Sequence, residues 1–328
     1  MFKKTALLII VLAYTLSVNA QKGSTKTPRV IFDTDMSTDY DDVGAITLLH
    51  YYADHGQAKI LATIASSKPP HIAACLSVFN TYFKMPDIPI GVPTGPANTD
   101  DDSQKWSDSI IAKYPHKIKT NAGAWDAVKL YRKILAAQPD NSVTIITVGF
   151  FTNIANLLQS KPDEYSPLNG EELINKKVLR MVSMAGQYPS GSEYNMDDQA
   201  AASIYIFKHF NKPVIFSGFE IGEKIHTGLP LIHNDKIVND PVKDVFRISI
   251  PQSKDDVNGR MSWDETAVFV ALHGPYPYYK LVPGKVQVAP DGSDTWITPG
   301  NQYYLLAVRP PAEMQQVINQ LIMYQPKK

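Results

Sequence analysis

Cysteine is nearly absent from this sequence of 328 residues, which contains only Cys75. A single cysteine cannot form an internal disulfide, so the fold must be stabilised by its core, by a bound metal or by contacts between subunits. Lysine plus arginine and aspartate plus glutamate each number 32, which gives a formal net charge of +0. No basic run and no basic-aromatic stripe occurs, which argues against a nucleic-acid polymer as a partner.

A long hydrophobic run is also missing. The most apolar stretch, residues 6–16, is shorter than the ~20 apolar residues that span a bilayer. It follows Lys3 and Lys4 and precedes Val18-Asn19-Ala20, the arrangement of a cleaved secretory signal. We therefore expect residues 1–20 to be a signal peptide and the mature protein to be exported, periplasmic or extracellular. No cysteine lies near the expected cleavage point, so no stable membrane anchor is expected.

Segments typical of strands and helices alternate along the rest of the chain, which predicts an α/β fold. Strand-like apolar runs at 30–32, 59–65, 143–148 and 178–184 are separated by helical patterns. No internal repeat and no long polar linker divides the chain, so we expect one domain over residues 21–328. The expected architecture is an open, mostly parallel sheet with helices on both faces and a Rossmann-like core. Ligands bind to such sheets at the carboxyl ends of the strands.

Five aspartates follow the first apolar strand within ten positions: Asp33, Asp35, Asp39, Asp41 and Asp42. Crowded carboxylates repel one another, and a bound hard cation is the simplest compensation. Asp39 as a helix cap, with Asp42 in the first turn, would explain only two of the five. A solvated charge run is the other interpretation, and the buried-strand pattern immediately before the cluster argues against it.

Two common motifs of metal-binding proteins contain aspartates at similar spacing. An EF-hand loop beginning at Asp33 would need glycine at Thr38 and glutamate at Gly44, so that motif is excluded. A phosphoryl-transfer Asp-x-Asp loop fits Asp33 and Asp35, with Ser37 in place of its threonine, but it leaves the second aspartate pair unexplained. A phosphatase with Asp33 as nucleophile therefore stays open as a less favoured alternative.

A strand, Asp-x-Asp, a short loop and Asp-Asp opening a helix together resemble the start of the nucleoside hydrolases, the inosine-uridine-preferring N-ribohydrolase family. Three further stretches resemble this family in the correct order. Residues 143–155 resemble its strand ending in Thr-Gly-Pro-Leu-Thr-Asn, and residues 184–201 resemble its Met-Gly-Gly, Ala-Glu-Phe-Asn and Asp-Pro-Glu-Ala-Ala. Trp263-Asp264 stands at the place of its His-Asp. The resemblance extends from about residue 29 to about residue 320.

The resemblance implies a Ca²⁺-dependent hydrolysis of the N-glycosidic bond of a ribonucleoside or related riboside. The implied metal ligands are Asp35, Asp42, Asp264 and the backbone carbonyl of Val148. Asp35 would also act as the general base on a metal-bound water. The implied substrate contacts are Asp41, Glu193 and Asn195 to the ribose and Trp263 to the leaving group. The resemblance also implies a homo-oligomer, and export fits the scavenging of nucleosides for purine or pyrimidine salvage.

One departure from the family concerns the leaving group. Better-known members have a histidine that assists departure of the base, and Trp263 stands in its place. A purine could stack on this indole, or a nearby side chain such as Glu220, Glu223 or His226 could protonate the leaving atom. A catalytically weakened protein that binds nucleosides or ribose is the alternative function.

A second departure is the spacing of the first motif. Five residues separate Asp35 from Asp41, whereas better-known members have three at that place. The insertion leaves Asp39 as a metal ligand, a helix cap or a partner of a ligand.

Overall fold

The computed structural model describes residues 27–327, and the expected signal peptide lies outside this range. In chain order the strands are β1 (Arg29–Thr34), β2 (Lys59–Ala65), β3 (Ile90–Val92), β4 (Trp125–Asp126), β5 (Val143–Thr147), β6 (Val178–Met184), β7 (Ser190–Gly191), β8 (Val214–Ser217), β9 (His226–Thr227), β10 (Arg260–Met261), β11 (Tyr279–Val288) and β12 (Asp294–Ala307). The helices are α1 (Asp41–Asp54), α2 (Ile72–Tyr82), α3 (Trp106–Lys113), α4 (Ala127–Ala136), α5 (Thr152–Leu158), α6 (Gly170–Lys177), α7 (Tyr194–Asp197), α8 (Ala200–His209), α9 (Phe219–Gly222), α10 (Leu229–Ile232), α11 (Pro241–Ser249), α12 (Trp263–Leu272) and α13 (Pro311–Ile322). None of these helices is both long and apolar enough to cross a membrane.

Ten of the strands form one sheet in the order β4-β3-β2-β1-β5-β6-β8-β12-β11, and β7 pairs with β12. All pairings are parallel from β4 to β12, and β12 turns back into an antiparallel hairpin with β11. Successive side chains of β1 enter opposite cores: Val30 and Phe32 pack with α1, α2, α11, α12 and α13, and Ile31 packs with α4, α5, α6 and α8. The predicted open, mostly parallel sheet with helices on both faces is confirmed.

The order of the strands reverses beside β1. The chain runs from β1 outward to β4 on one side, then returns to add β5 on the other side. In the β1–β5 pair, Arg29 is opposite Val143 and Asp33 is opposite Thr147, so both strands end at the same level. The residues that follow them, Asp35 and Val148, therefore meet where ligands bind in sheets of this kind.

Helices α1 and α12 pack closely because α1 carries a glycine at their contact. A Cβ added to Gly44 would lie 2.0 Å from Oε1 of Glu265, so only hydrogen fits there. This approach brings the amino-terminal ends of both helices, with Asp41, Asp42 and Asp264, to one place.

Two predicted helix caps are not formed. The spacing of Ser262 and Glu265 predicts a capping box, but no side-chain hydrogen bond caps α12. The Ser262 hydroxyl instead bonds the Thr227 hydroxyl at 2.7 Å, and Glu265 is buried against Gly44. Asp39 does not cap α1 either, since Tyr40 is the N-cap residue and no side chain accepts a capping hydrogen bond from the first N–H groups of α1.

Two segments are more ordered than their composition predicts. Residues 93–120 look like a surface excursion, yet they contain α3, whose Trp106 is fully buried. Both oxygens of Asp102 fix its start by accepting the N–H groups of Trp106 and Ser107 at 2.9 and 3.0 Å. In the tail, the sequence predicts strands at 286–288 and 303–308, but the structure has the much longer hairpin of β11 and β12. Pro283, Gly284 and Pro299 are unfavourable in strands, so the sequence pattern does not indicate the full length of this hairpin.

Candidate active site

A cavity of about 250 Å³ opens at the carboxyl ends of β1, β5 and β6. Every residue predicted for the site lines it except Asp42. These lining residues are Asp35, Asp41, Val148, Glu193, Asn195, Trp263 and Asp264. Six further residues line it: Asp39, whose role the sequence left open, and five with no predicted role, which are Met184, Ser192, Tyr194, Asp197 and Phe219. The cavity therefore collects residues from five separate stretches of the chain.

Asp33, the first aspartate of the cluster, does not line the cavity. Its Oδ2 accepts hydrogen bonds from the Tyr131 hydroxyl at 2.7 Å and from Nδ2 of Asn153 at 3.1 Å. Complete burial raises the pKa of Asp33 to about 7, although both hydrogen bonds oppose that shift. Asp33 thus ties the end of β1 to α4 and α5, an arrangement that does not suit a phosphatase nucleophile.

Asp35 lies on the cavity wall and is 6% exposed. Burial raises its pKa well above the usual range, and the negative charges of Asp39, Asp41 and Glu193 raise it further. A Cβ added to Gly149 would lie 2.6 Å from the Asp35 backbone nitrogen and 2.7 Å from its Oδ1. Glycine at position 149 is therefore what allows the end of β5 to approach Asp35.

Asp42 lies behind the cavity and has one oxygen without a partner. Its Oδ1 accepts a short hydrogen bond from the Thr34 hydroxyl, whereas Oδ2 is buried and unpartnered among the described residues. Burial, followed by the charge of nearby Asp35, raises the pKa of Asp42 well above its usual range. A buried carboxylate oxygen with no donor is the kind of atom that a hard cation satisfies.

Arg260 supplies a positive charge that the sequence did not predict. Its Nε and Nη2 donate to Oδ1 of Asp41 at 3.0 and 2.7 Å, and Nη2 lies 2.5 Å from Oδ2 of Asp39. The guanidinium lies over the rings of Tyr40 and Trp263, 5.0 and 5.1 Å from their centroids. The sequence points to such a residue only indirectly: a cluster of five aspartates needs positive charge, and an arginine or lysine of the same chain can provide part of it.

Three carboxylates converge closely enough to hold one metal ion. Oxygens of Asp39, Asp41 and Asp264 lie within 4.8 Å of one another. This trio shares only Asp264 with the metal ligands implied by the resemblance. Asp41 was expected to contact the sugar, and Asp39 had no assigned role. The all-oxygen donor set and the orphaned Oδ2 of Asp42 fit a hard divalent cation.

Asn195 and Glu193 brace the ends of β5 and β6. Nδ2 of Asn195 donates to the carbonyls of Val148 and Met184, each at 3.2 Å. A carbonyl oxygen has two lone pairs, so this bond leaves Val148 with capacity for a ligand. Glu193 accepts the N–H groups of Asn195 and Gly186 at 2.9 and 2.8 Å, and burial raises its pKa to about 8.

Aromatic side chains form part of the cavity wall. The Trp263 indole N–H donates to the Phe219 carbonyl at 3.0 Å, and the two rings are 5.3 Å apart with a tilt of 31°. Tyr194, which is half-exposed, contacts Phe150 edge to face. Phe219 and Tyr194 were missed because isolated aromatic residues in a sequence more often belong to a core.

None of the three suggested acids lines the cavity. Glu220 faces a separate cavity and accepts the Tyr188 N–H at 3.0 Å. Glu223 lies 3.7 Å from the amino group of Lys224. The Nδ1 of His226, in β9, bonds the backbone carbonyl of Gly259, the residue before β10, at 3.2 Å.

A sequence model of the inosine-uridine preferring nucleoside hydrolase family matches residues 30–309. The chain belongs to this family. Membership supports riboside hydrolysis in general, with small-molecule nucleosides as the substrates that the family binds. No curated protein matches its sequence.

Solved structures share the fold at low sequence identity. The purine-preferring ribonucleoside hydrolase of Gardnerella vaginalis is 15% identical, with a TM-score of 0.69 over 90% of this chain and 99% of its own. An inosine-guanosine nucleoside hydrolase is 17% identical, with a TM-score of 0.65 over 92% and 100%. The type III effector protein XopQ, solved with adenosine diphosphate ribose, is 13% identical, with a TM-score of 0.66 over 91% and 94%. These likenesses show the fold of this nucleoside hydrolase.

Proposed function

We propose that this nucleoside hydrolase cleaves the N-glycosidic bond of a ribonucleoside or related riboside, with Ca²⁺ as cofactor and Asp35 as general base. The observation that carries the proposal is the cavity beside β1 and β5. There Asp35, the Val148 carbonyl and Asp264, which come from distant parts of the chain, line one concave surface. A concave site with convergent carboxylates of raised pKa is the arrangement expected of a hydrolase.

Ca²⁺ prefers several oxygen ligands in a flexible shell, and the proposed set is Asp35, Asp42, Asp264 and the Val148 carbonyl. Asp39 and Asp41 are additional candidates because their oxygens converge with those of Asp264. When bound, the cation supplies positive charge that makes deprotonation of water easier.

Asp35 takes the proton of the attacking water, whose oxygen forms a bond to the anomeric carbon of the ribose while the bond to the base breaks. The sugar gains positive charge in this transition state, and the surrounding carboxylates stabilise it. Asp41, Glu193 and Asn195 orient the ribose hydroxyls, and Trp263 contacts the leaving group. Phe219 extends the surface formed by Trp263.

The second candidate is a nucleoside- or ribose-binding protein with weakened catalysis. It is favoured by one observation, the absence of histidine and of the three suggested acids from the described cavity lining. The two candidates predict the same ligands and differ in whether ribose is released.

The deciding experiment measures ribose release from a panel of nucleosides with Ca²⁺ and with a chelator. We expect release by the native protein, loss with the chelator, and loss of at least about 10²-fold in Asp35→Asn, because a general base contributes that much. Asp87→Asn, at an exposed position paired with Lys117, is the matched control and should retain activity. Far-UV circular dichroism checks that Asp35→Asn keeps its fold.

Undiminished turnover in Asp35→Asn would refute the assignment of the base. Tight nucleoside binding by calorimetry, without ribose release from any substrate, would instead favour the binding protein.

Four further expectations remain predictions: the signal peptide at 1–20, export, a single domain over 21–328 and a homo-oligomer. Amino-terminal sequencing of the protein recovered from cell fractions tests the first two. Limited proteolysis and light scattering test the others.

A further inference from the structure

We propose that the preferred substrates are ribosides whose base already carries a positive charge, such as N-ribosylpyridinium ions or ribosides of N-alkylated purines. This inference rests on the proposed function, because it concerns the same cavity and the same bond. Three independent features carry it: the charge of the cavity, its aromatic wall and the absence of an acid for the leaving group.

The cavity wall is strongly acidic. Six of its 13 lining residues are carboxylates, and none is lysine, arginine or histidine among the residues described. A divalent cation and Arg260 would together contribute three positive charges, and Arg260 is already matched by Asp39 and Asp41. Asp197 lies outside the group of carboxylates that converge closely enough for a metal, and its Oδ2 accepts a hydrogen bond from the neutral Ser192 hydroxyl, so among the described residues no cation matches its charge. A cleft lined by carboxylates attracts cationic ligands and disfavours anionic leaving groups.

The acidity continues beside the cavity, around Tyr194. Its hydroxyl donates to Oδ2 of Asp100 at 2.8 Å, and Nδ2 of Asn98 bridges Asp100 and Asp198 at 3.1 Å to each. Tyr194 and Asp197 belong to the same short helix, α7, so the tyrosine and the carboxylate are presented together. These carboxylates extend the negative field to the approach to the cavity.

The aromatic wall suits a flat cation. Trp263 and Phe219 line the cavity side by side, and the indole is held by its hydrogen bond to the Phe219 carbonyl. Aromatic faces attract cations, and tryptophan does so most strongly. The guanidinium of Arg260 over Trp263 is an example of this attraction within the site. A neutral purine could stack on the same rings, so the charge of the wall is what distinguishes the two ligand classes.

The leaving-group chemistry points the same way. A neutral base departs as an anion unless an acid protonates it, and Glu220, Glu223 and His226 lie away from the cavity lining. Both carboxylate oxygens of Glu193 already accept backbone N–H groups. A cationic base needs no acid, because it departs as a neutral molecule.

The reaction is balanced with water as the only co-reactant. The water oxygen bonds to the anomeric carbon, and one water proton goes to Asp35. The carbon–nitrogen bond breaks, and its electron pair neutralises the positive nitrogen of the base. Asp35 then returns the proton to solvent, so the products are ribose, a neutral base and one proton.

The test compares 7-methylinosine with inosine, using the full chain with Ca²⁺ at a mildly acidic pH. There N1 of 7-methylinosine keeps its proton, so the two substrates differ by one methyl group and one positive charge. We expect kcat/KM to be at least about tenfold higher for the cationic substrate. Because methylation also makes the bond intrinsically weaker, the decisive measurement is the ratio of the two values in Asp197→Asn. This ratio should fall by about fivefold through a higher KM for 7-methylinosine. Asp140→Asn, at an exposed position before the amino end of β5 and therefore at the edge of the sheet opposite the cavity, is the matched control and should leave the ratio unchanged.

A second measurement does not depend on chemistry. Asp35→Asn, loaded with Ca²⁺, should bind N-ribosylpyridinium more tightly at low than at high ionic strength and more tightly than it binds inosine. Equal or better turnover of inosine, or an unchanged ratio in Asp197→Asn, would overturn the inference and leave the proposed function intact. Hydrolysis of no riboside at all, cationic or neutral, would overturn the proposed function itself.

Discussion

Replacing Arg260 by methionine should destabilise the protein, because it removes a mostly buried cation that pairs with two carboxylates. The side chain is 11% exposed and is the cation that pairs with both Asp39 and Asp41. Methionine keeps much of the apolar stem and removes the charge and the donors. The change therefore isolates the electrostatic contribution from the packing contribution.

The expected loss follows from the burial of Asp41. This carboxylate is 1% exposed and accepts two N–H groups of Arg260 at 3.0 and 2.7 Å. Removing one partner of a buried, hydrogen-bonded ion pair costs roughly 3–5 kcal/mol. The side chain of Asp39 is 46% exposed, so solvent screens its part of the interaction. We therefore expect a loss of about 3 kcal/mol in the free energy of unfolding.

Urea denaturation followed by far-UV circular dichroism, with chelator present, measures this loss. Added Ca²⁺ should stabilise Arg260→Met more than the native protein, because the freed oxygens of Asp41 and Asp39 become available to the ion. Arg247→Met is the matched control, since its side chain is 57% exposed and pairs only with Asp244 three residues earlier. The control should change stability by no more than ~0.5 kcal/mol. A loss below about 1 kcal/mol in Arg260→Met would refute the reasoning.

Two other perturbations test the packing of the site and a buried histidine. In Gly149→Ala the new Cβ would lie 2.5 Å from Oγ of Ser66 and 2.6 Å from the backbone nitrogen of Asp35. We therefore expect kcat to fall by about 10²-fold, because Asp35 is displaced. The free energy of unfolding should fall by about 1–3 kcal/mol. Turnover unchanged by this methyl group would contradict the proposed role of Asp35, and kinetics together with urea unfolding separate the two effects. Burial lowers the pKa of His50 from 6.5 to about 4, so the unfolded chain gains a proton first as the pH falls, and stability should drop by about 2 kcal/mol between pH 7 and pH 5. His50→Gln should remove this part of the slope, and identical slopes would show that His50 does not titrate as described.

The strands and the order of the motifs could be predicted from the sequence because each depends on local pattern. The run Val30-Ile31-Phe32 has apolar side chains on both faces, which only a strand covered on both sides can bury. The tail hairpin was underestimated because Pro283, Gly284 and Pro299 interrupt an exposed pair of strands whose partner is remote in sequence. Helix α3 was missed because its one buried face depends on Trp106 inserting into a core assembled elsewhere.

Some residues of the candidate site could likewise be identified from the sequence, whereas others could be found only in the structure. A resemblance spread over four stretches identified seven of the residues that line the cavity, since short motifs carry their own residue types and order. Arg260 could not be found, because its pairing with Asp41 joins positions 219 residues apart and nothing in either neighbourhood requires it. The role of Asp39 was ambiguous for the same reason. The sequence around an aspartate does not show whether its side chain caps a helix, binds a metal ion or pairs with a distant arginine.

The sequence by itself therefore determined the fold class, the family resemblance and the acidic character of the site, because apolar periodicity and residue type are properties of short segments. The tertiary structure decided which carboxylates converge, which of them pair with Arg260 and which aromatic side chains complete the wall. Distances between side chains from different strands depend on how the sheet brings the ends of β1, β5 and β6 together. The energy between two charges depends on the distance between them and on the local dielectric, so charge balance in the cavity is fixed only once those distances are set.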